Sequence, residues 1–229
     1  MSNELCGIFE ESTEPAPQSK ANDWVSHFFL KPDTKCSIVF LCNPQDFVKL
    51  KLHEVWAKDG DKTLPNHLSC VQTDEVDCPI CKAAEIQEDD RDKNKLRRRE
   101  FWCGSVLQLN AYEKDGKSYH QRKVLALNFT ARKKFLTTLN TFEERGLAEL
   151  KGCQYKVARS DDQKSLRTGD IWEFWKDDVL SGLPSDVIVE EYDIKEIYTP
   201  DIDLCLEVLS RSDYDVEADG TEESTFLPQ

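Results

Sequence analysis

The chain has 229 residues, 39% of them hydrophobic and 10% aromatic, with a formal net charge of -14. That is enough for one sizeable domain with extensions or two small ones, each with a packed core. No apolar run approaches 18 residues, which argues against a membrane-spanning helix, and MSNELCGIFEESTEPAPQSK lacks the basic start and apolar stretch of a secretory signal.

In chain order, residues 1–22 contain ESTEPAPQSKAND and read as a flexible arm. WVSHFFL and, after a KPDTK turn, CSIVFL read as strands. Residues 47–56, FVKLKLHEVW, partly alternate, with Leu50 and Leu52 on one face and Lys49 and Lys51 on the other, before a KDGDK turn.

HLSCVQTDEVDCPIC follows, with His67, Cys70, Cys78 and Cys81 spaced H-x2-C-x7-C-x2-C. Each two-residue gap lets a pair of ligands grip one ion from a tight turn, and Pro79 stiffens the second. Four nitrogen and sulfur ligands leave no position open for water, which is the pattern of one structural zinc per chain. Nine cysteines without an export signal suit a reducing compartment, where clustered thiols more often hold metal than pair. A redox pair would use Cys78 and Cys81 but leave His67 and Cys70 without a role. The zinc-deaminase pattern is not met, because Pro79 lies inside the cysteine pair and Leu68-Ser69 follows the histidine. Unliganded core thiols are the remaining reading, and Cys42 or Cys103 could replace one ligand. Cys6, Cys36, Cys42, Cys103, Cys153 and Cys205 are scattered and otherwise read as small buried hydrophobes.

Residues 83–100 are highly charged, helical at first, and end in Arg97-Arg98-Arg99. FWCGSVLQLNAY is a strand, EKDGKS a hairpin turn, and YHQRKVLALNF the returning strand. TARKKFLTTLNTFEERG reads as a helix, from the Thr at its start, the spacing of Phe135, Leu136, Leu139 and Phe142, and Gly146 at its end. CQYKVARS is a further strand, SLRTGDIWEFW an irregular piece, and DVIVEEYDIKEIY an outer strand or short amphipathic segment. Many short strands with one internal helix suggest a mainly β, α+β chain. The expected fold is an OB-type β-barrel core over 23–211, a pattern that other small barrels share, with a zinc-binding insertion at about 64–100.

Arg97, Arg98 and Arg99 run directly into Phe101 and Trp102. Single-stranded nucleic acid needs cations for its phosphates and flat rings for its unstacked bases. Strand neighbours point to opposite sides, so one of the two rings should be core and the other exposed. Tyr112, Tyr119, Arg122 and Lys123 on the adjoining hairpin, and Lys49, Lys51 and Trp56 on the earlier strand, are further candidates.

The acidity is confined to one end. Residues 177–229 hold 16 acids against Lys195 and Arg211, so they carry the whole net charge of -14, while residues 1–176 balance 28 acids with 28 bases. Residues 212–229 read as a disordered acidic tail. Asp213, Asp215, Glu217, Asp219, Glu222, Glu223 and the apolar Phe226 would dock partner proteins and compete with nucleic acid for a basic groove.

Taken in order, these motifs resemble the single-stranded DNA-binding (helix-destabilising) proteins of tailed bacteriophages, in particular the T-even type. They are His67, Cys70, Cys78-Pro79-Ile80-Cys81, then Arg97 to Arg99, Phe101-Trp102 and SVLQL, a hairpin, a helix and an acidic tail. The gap from His67 to Cys70 is shorter than in the T-even proteins. The resemblance implies an OB-fold core with a zinc-bearing subdomain beside the DNA cleft, acting in phage DNA replication, recombination and repair. It further implies that the tail contacts replication and recombination proteins in the cytoplasm of a bacterial host. No nucleophile–base set, Gly-rich phosphate loop or paired-carboxylate motif is recognisable, so a non-enzyme is expected. The alternative is a zinc-ribbon protein-interaction or transcription factor.

Overall fold

A computed structural model describes residues 25–214, apart from 115, 145–148, 162–165 and the side chains of 141–144. The N-terminal arm and residues 215–229, with Asp215, Glu217, Asp219, Glu222, Glu223 and Phe226, lie outside the described residues. The elements are β1 (Thr34–Phe40), β2 (Val48–Asp59), β3 (Lys62–Ser69), α1 (Pro79–Ile86), α2 (Asp90–Leu96), β4 (Arg99–Lys114), β5 (Lys117–Asn128), α3 (Phe129–Glu144), β6 (Gln154–Arg159), β7 (Ile171–Lys176), α4 (Ile194–Ile197) and α5 (Ile202–Ser210). They divide into two units. The first holds the residues up to Leu50 and Glu100–Ile197, and the second Lys51–Arg99 and the residues from Tyr198 onward.

The first unit is an antiparallel sheet. β5 pairs with β4, β4 with β1, β1 with β6, and β6 with β7. Among the described residues the sheet is open, where a closed barrel was expected. The reason lies in the two edges. WVSHFFL, read as a strand, contributes a single bridge, His27 to Val124 on β5, and no strand continues the sheet beyond β7.

The period-2 pattern points Ile38 and Phe40 of β1, Val106 of β4, Leu125 and Leu127 of β5, and Tyr155 and Val157 of β6 into one core. α3 lays Ala131, Phe135 and Leu139 on it, at the i, i+4 spacing of a helix face. Phe135 stacks on Phe40 at 5.5 Å between ring centroids, and Tyr155 meets Phe40 edge-on at 5.5 Å. IWEFW, read as irregular, is β7: Trp172 and Phe174 face this core while Ile171, Glu173 and Trp175 alternate to the other side. Gly104 on β4 is required by a close approach, since a Cβ there would collide with the Phe47 ring. On the other face of the sheet, Val179, Leu183, Val187 and Val189 cover Val39 and Leu107. DVIVEEY therefore forms no outer strand, and the short α4 follows it.

The second unit is built on the β2–β3 hairpin. Asp59 pairs with Lys62 around a two-residue loop whose first position, Gly60, has φ 58°, a conformation that glycine adopts at little cost. Val55, Ala57 and Leu68 of the hairpin pack with Ile80 and Ala83 of α1, Leu96 at the end of α2, and Val208 and Leu209 of α5. α5 begins where the Asp201 side chain accepts the Leu204 N–H at 3.0 Å, a helix N-cap. The expected tail does not begin at 212: Ser212 bridges to Ala57, Asp213 pairs with Lys58 at 2.5 Å, and Tyr214 packs on the core.

Candidate metal centre and the predicted strand contacts

Four ligand atoms converge inside the second unit, from His53, Cys70, Cys78 and Cys81, all within 4.8 Å of one another. The hairpin supplies the first two. β2 buries His53, Val55 and Ala57 on one face by alternation, and Cys70 follows the end of β3, its N–H donating to Lys51 O at 2.9 Å. Cys78 is the N-cap residue of α1 and Cys81 lies in its first turn, so the C-P-x-C spacing winds both sulfurs to the same end of one helix. The Gln72 carboxamide oxygen accepts the Cys78 N–H at 2.9 Å and fixes the entry to that helix.

Three of the six ligand–ligand distances match the edges of a tetrahedron. Sγ of Cys70 and Cys81 are 3.7 Å apart, and Nε2 of His53 lies 3.5 Å from Cys78 Sγ and 3.7 Å from Cys81 Sγ. Zinc bonds of about 2.3 Å to sulfur and about 2.0–2.1 Å to nitrogen, at tetrahedral angles, give edges of about 3.8 Å and about 3.5 Å. His53 Nδ1 lies 2.7 Å from Leu96 O. That bond needs the proton on Nδ1 and leaves the Nε2 lone pair facing the sulfurs, the outer-shell arrangement of a metal-bound imidazole. Burial opposes charge on His53, but bonds to Cys78 Sγ, Leu96 O and Cys70 Sγ, each favouring the protonated ring, outweigh it and raise its pKa. The Cys81 thiol donates to Cys78, lowering the Cys78 pKa far below its ordinary value, and the same contact raises that of Cys81. A divalent ion would let all three thiols ionise. The residues present fit one structural metal.

The histidine of this set is His53, not His67. His67 sits opposite Glu54 across the hairpin, and its Nε2 lies 3.6 Å from Glu54 Oε2. Opposed residues share a face, so His67 and Glu54 lie on the side of the hairpin away from His53 and Leu68. Cys42 and Cys103 belong to the first unit, where burial raises each thiol to about 12, and neither joins the set. Cys153 and Cys205 are buried and Cys36 is half-buried, as small hydrophobes would be, while Cys6 lies outside the described residues.

The predicted strand contacts are dispersed over both units. Arg97, Arg98 and Arg99 are exposed in the second, but Arg98 donates to Cys70 Sγ at 3.9 Å and Arg99 to Asn94 O at 2.9 Å. There too Lys51 is exposed, while Trp56 is half-buried and donates from Nε1 to Glu54 at 3.0 Å. In the first unit neither ring of the Phe101-Trp102 pair is a free platform. Phe101 is 9% exposed, and half-buried Trp102 packs on the core with the Arg132 guanidinium 3.1 Å from its ring centroid. Alternation put one ring on each side of β4, but both sides are covered there.

Lys49 pairs with Glu100 at 2.8 Å. Arg122 lies 3.9 Å from the Tyr192 ring centroid and donates to Glu190 O at 3.1 Å. Burial lowers the pKa of Lys123. Tyr112 and Tyr119 are different. They face each other across β4 and β5 beyond a register shift, 43% and 38% exposed, with centroids 5.2 Å apart and planes 7° from parallel. Sequence reasoning missed three other exposed rings: Phe29 ahead of β1, Phe129 at the start of α3, and Trp175 of β7, which carries Lys156 Nζ 3.0 Å from its centroid. Phe129 was read as the end of a strand, and Trp175 as part of an irregular piece. No helix among the described residues is long and apolar enough to cross a membrane. No family model matches the chain, and no curated protein matches it.

Proposed function

We propose that this chain is a non-catalytic, largely sequence-independent single-stranded DNA-binding protein whose four-ligand site holds a structural zinc. The observation that carries the reading is the Tyr112–Tyr119 pair: two parallel rings, stacked on each other and open to solvent at the far end of a hairpin. A large ring usually enters a core. A pair held outside it offers an extended aromatic surface, and every base has a π-face to lay on such a surface.

The charge distribution supports the same reading. A body balanced between 28 acids and 28 bases can present local cations to phosphate, while the acidic residues are gathered at the C-terminal end. In this reading the open sheet is an opened relative of the OB-type barrel. The zinc, bound by His53, Cys70, Cys78 and Cys81, contributes folding free energy to the second unit and takes no part in chemistry. The residues beyond 214 then serve as an acidic tail for replication and recombination proteins in a bacterial host cell, in phage DNA replication, recombination and repair.

The test is Tyr119→Ala, with binding followed by the anisotropy of a labelled oligothymidylate. Losing one stacked base costs about 1–3 kcal/mol, so the dissociation constant should rise roughly five- to 150-fold. Unchanged affinity would sink the role given to the pair.

A further inference from the structure

The same hairpin carries a feature that its aromatic residues do not explain. Beyond the register shift the pairs run Tyr112 to Tyr119, Glu113 to Ser118 and Lys114 to Lys117. Directly opposed residues share a face, as do residues two apart along a strand. The tyrosine pair and the lysine pair are therefore successive rungs on one face, about 6.8 Å apart along the strands. Glu113 and Ser118 lie on the other face. All six residues are exposed.

Like charges placed directly opposite each other destabilise a hairpin. Among the described residues no ion pair or hydrogen bond of Lys114 or Lys117 offsets the lysine rung, and Asp115, in the loop between them, lies outside the described residues. Elsewhere lysines find carboxylates readily, as in Lys49 with Glu100, Lys95 with Asp92 and Lys151 with Glu191. In a chain with 44 acidic residues, two opposed lysines beside two open rings form a local cationic and aromatic surface. Its complement is an anion joined to a flat ring, the repeating unit of a single nucleic-acid strand.

We propose that Lys114 and Lys117 are a phosphate clamp, gripping the backbone of a single strand whose base lies on the Tyr112–Tyr119 surface. This rests on the single-strand reading and adds to it the residues that hold the backbone. Both rungs lie beyond the register shift between Gln108 and Tyr112, so that irregularity does not separate them.

The experiment compares the full chain with Lys114→Ala/Lys117→Ala, Lys114→Arg/Lys117→Arg and, as a charge-matched control, Lys62→Ala/Lys93→Ala. Binding of labelled oligothymidylate is measured by anisotropy over a range of salt concentrations. Each phosphate contact on a single strand adds about 0.7 to the slope of log K against log salt. The alanine pair should bind several-fold more weakly with a slope shallower by about 1.4. The arginine pair should keep the original slope, and so should the control. A native slope in the alanine pair, or an equal change in the control, overturns the clamp and leaves the single-strand reading standing. A full chain that binds no single strand at any salt overturns both.

Discussion

The two units are stabilised by different means. The first buries stacked aromatics, with Phe40, Phe135, Tyr155 and Trp172 in mutual contact between sheet and helix. The second has a core of smaller residues, Val55, Ala57, Ile80, Ala83 and Val208 among them, set around one histidine and three thiols. A small core supplies little stability unless a metal or disulfide staples it. Side-chain deletions in the first unit should therefore cost graded amounts, whereas ligand deletions in the second should act all or none.

The largest expected effect comes from breaking the staple. Structural zinc contributes about 10–16 kcal/mol of apparent binding free energy in small domains at neutral pH. Cys78→Ser should lose the metal by elemental analysis and, with it, amide protection in α1, α2 and α5. A variant that kept one equivalent would break the comparison. Acid should do the same to the unaltered chain, because protons compete with the metal for His53 and the three sulfurs.

Next comes Phe135→Ala in the aromatic core. Removing a buried phenyl costs about 3–5 kcal/mol. Denaturant unfolding should show that loss while the metal content stays unchanged. Simultaneous loss of the metal would mean that the two units do not fail separately.

Asp170 gives a smaller, pH-dependent effect. Burial alone would raise its pKa, but bonds from Leu166 N, Ser160 Oγ and Ser160 N, with Lys134 nearby, hold it below the ordinary carboxylate value. A depressed folded pKa means that this stabilisation is fully present above the unfolded pKa of about 3.9 and is lost as pH falls through the folded value. Asp170→Asn should cost about 1–3 kcal/mol at neutral pH and remove that part of the acid sensitivity. An unchanged acid transition would count against it. The smallest effect belongs to Lys49→Ala: its exposed pair with Glu100 should contribute no more than about 1 kcal/mol, and a larger loss would show a packing role for the lysine stem.

Much of the first unit was legible because its signals are local. CSIVFL, FWCGSVLQLNAY, YHQRKVLALNF and CQYKVARS read as strands and are β1, β4, β5 and β6, and the spacing of Phe135 and Leu139 marked α3. What was missed depended on partners distant in sequence. Pro65 broke the pattern of β3, which tolerates it because that strand pairs only with β2. α5 was hidden in a stretch read mainly for its acidity, although Cys205, Val208 and Leu209 already form a helix face. The histidine was chosen by nearness to the cysteines, and nearness in sequence favoured His67. One sign pointed to His53: its parity with Val55 and Ala57 on β2.

The most direct measurement of the central claim is anisotropy of one labelled thymidine 20-mer, free and paired with its complement, titrated with the metal-loaded chain at low and moderate salt. The account predicts tight binding to the free strand, weakening as salt rises, and much weaker binding to the duplex, whose stacked bases cannot reach Tyr112 and Tyr119. Equal binding to both forms, or none to the free strand at low salt, would contradict it.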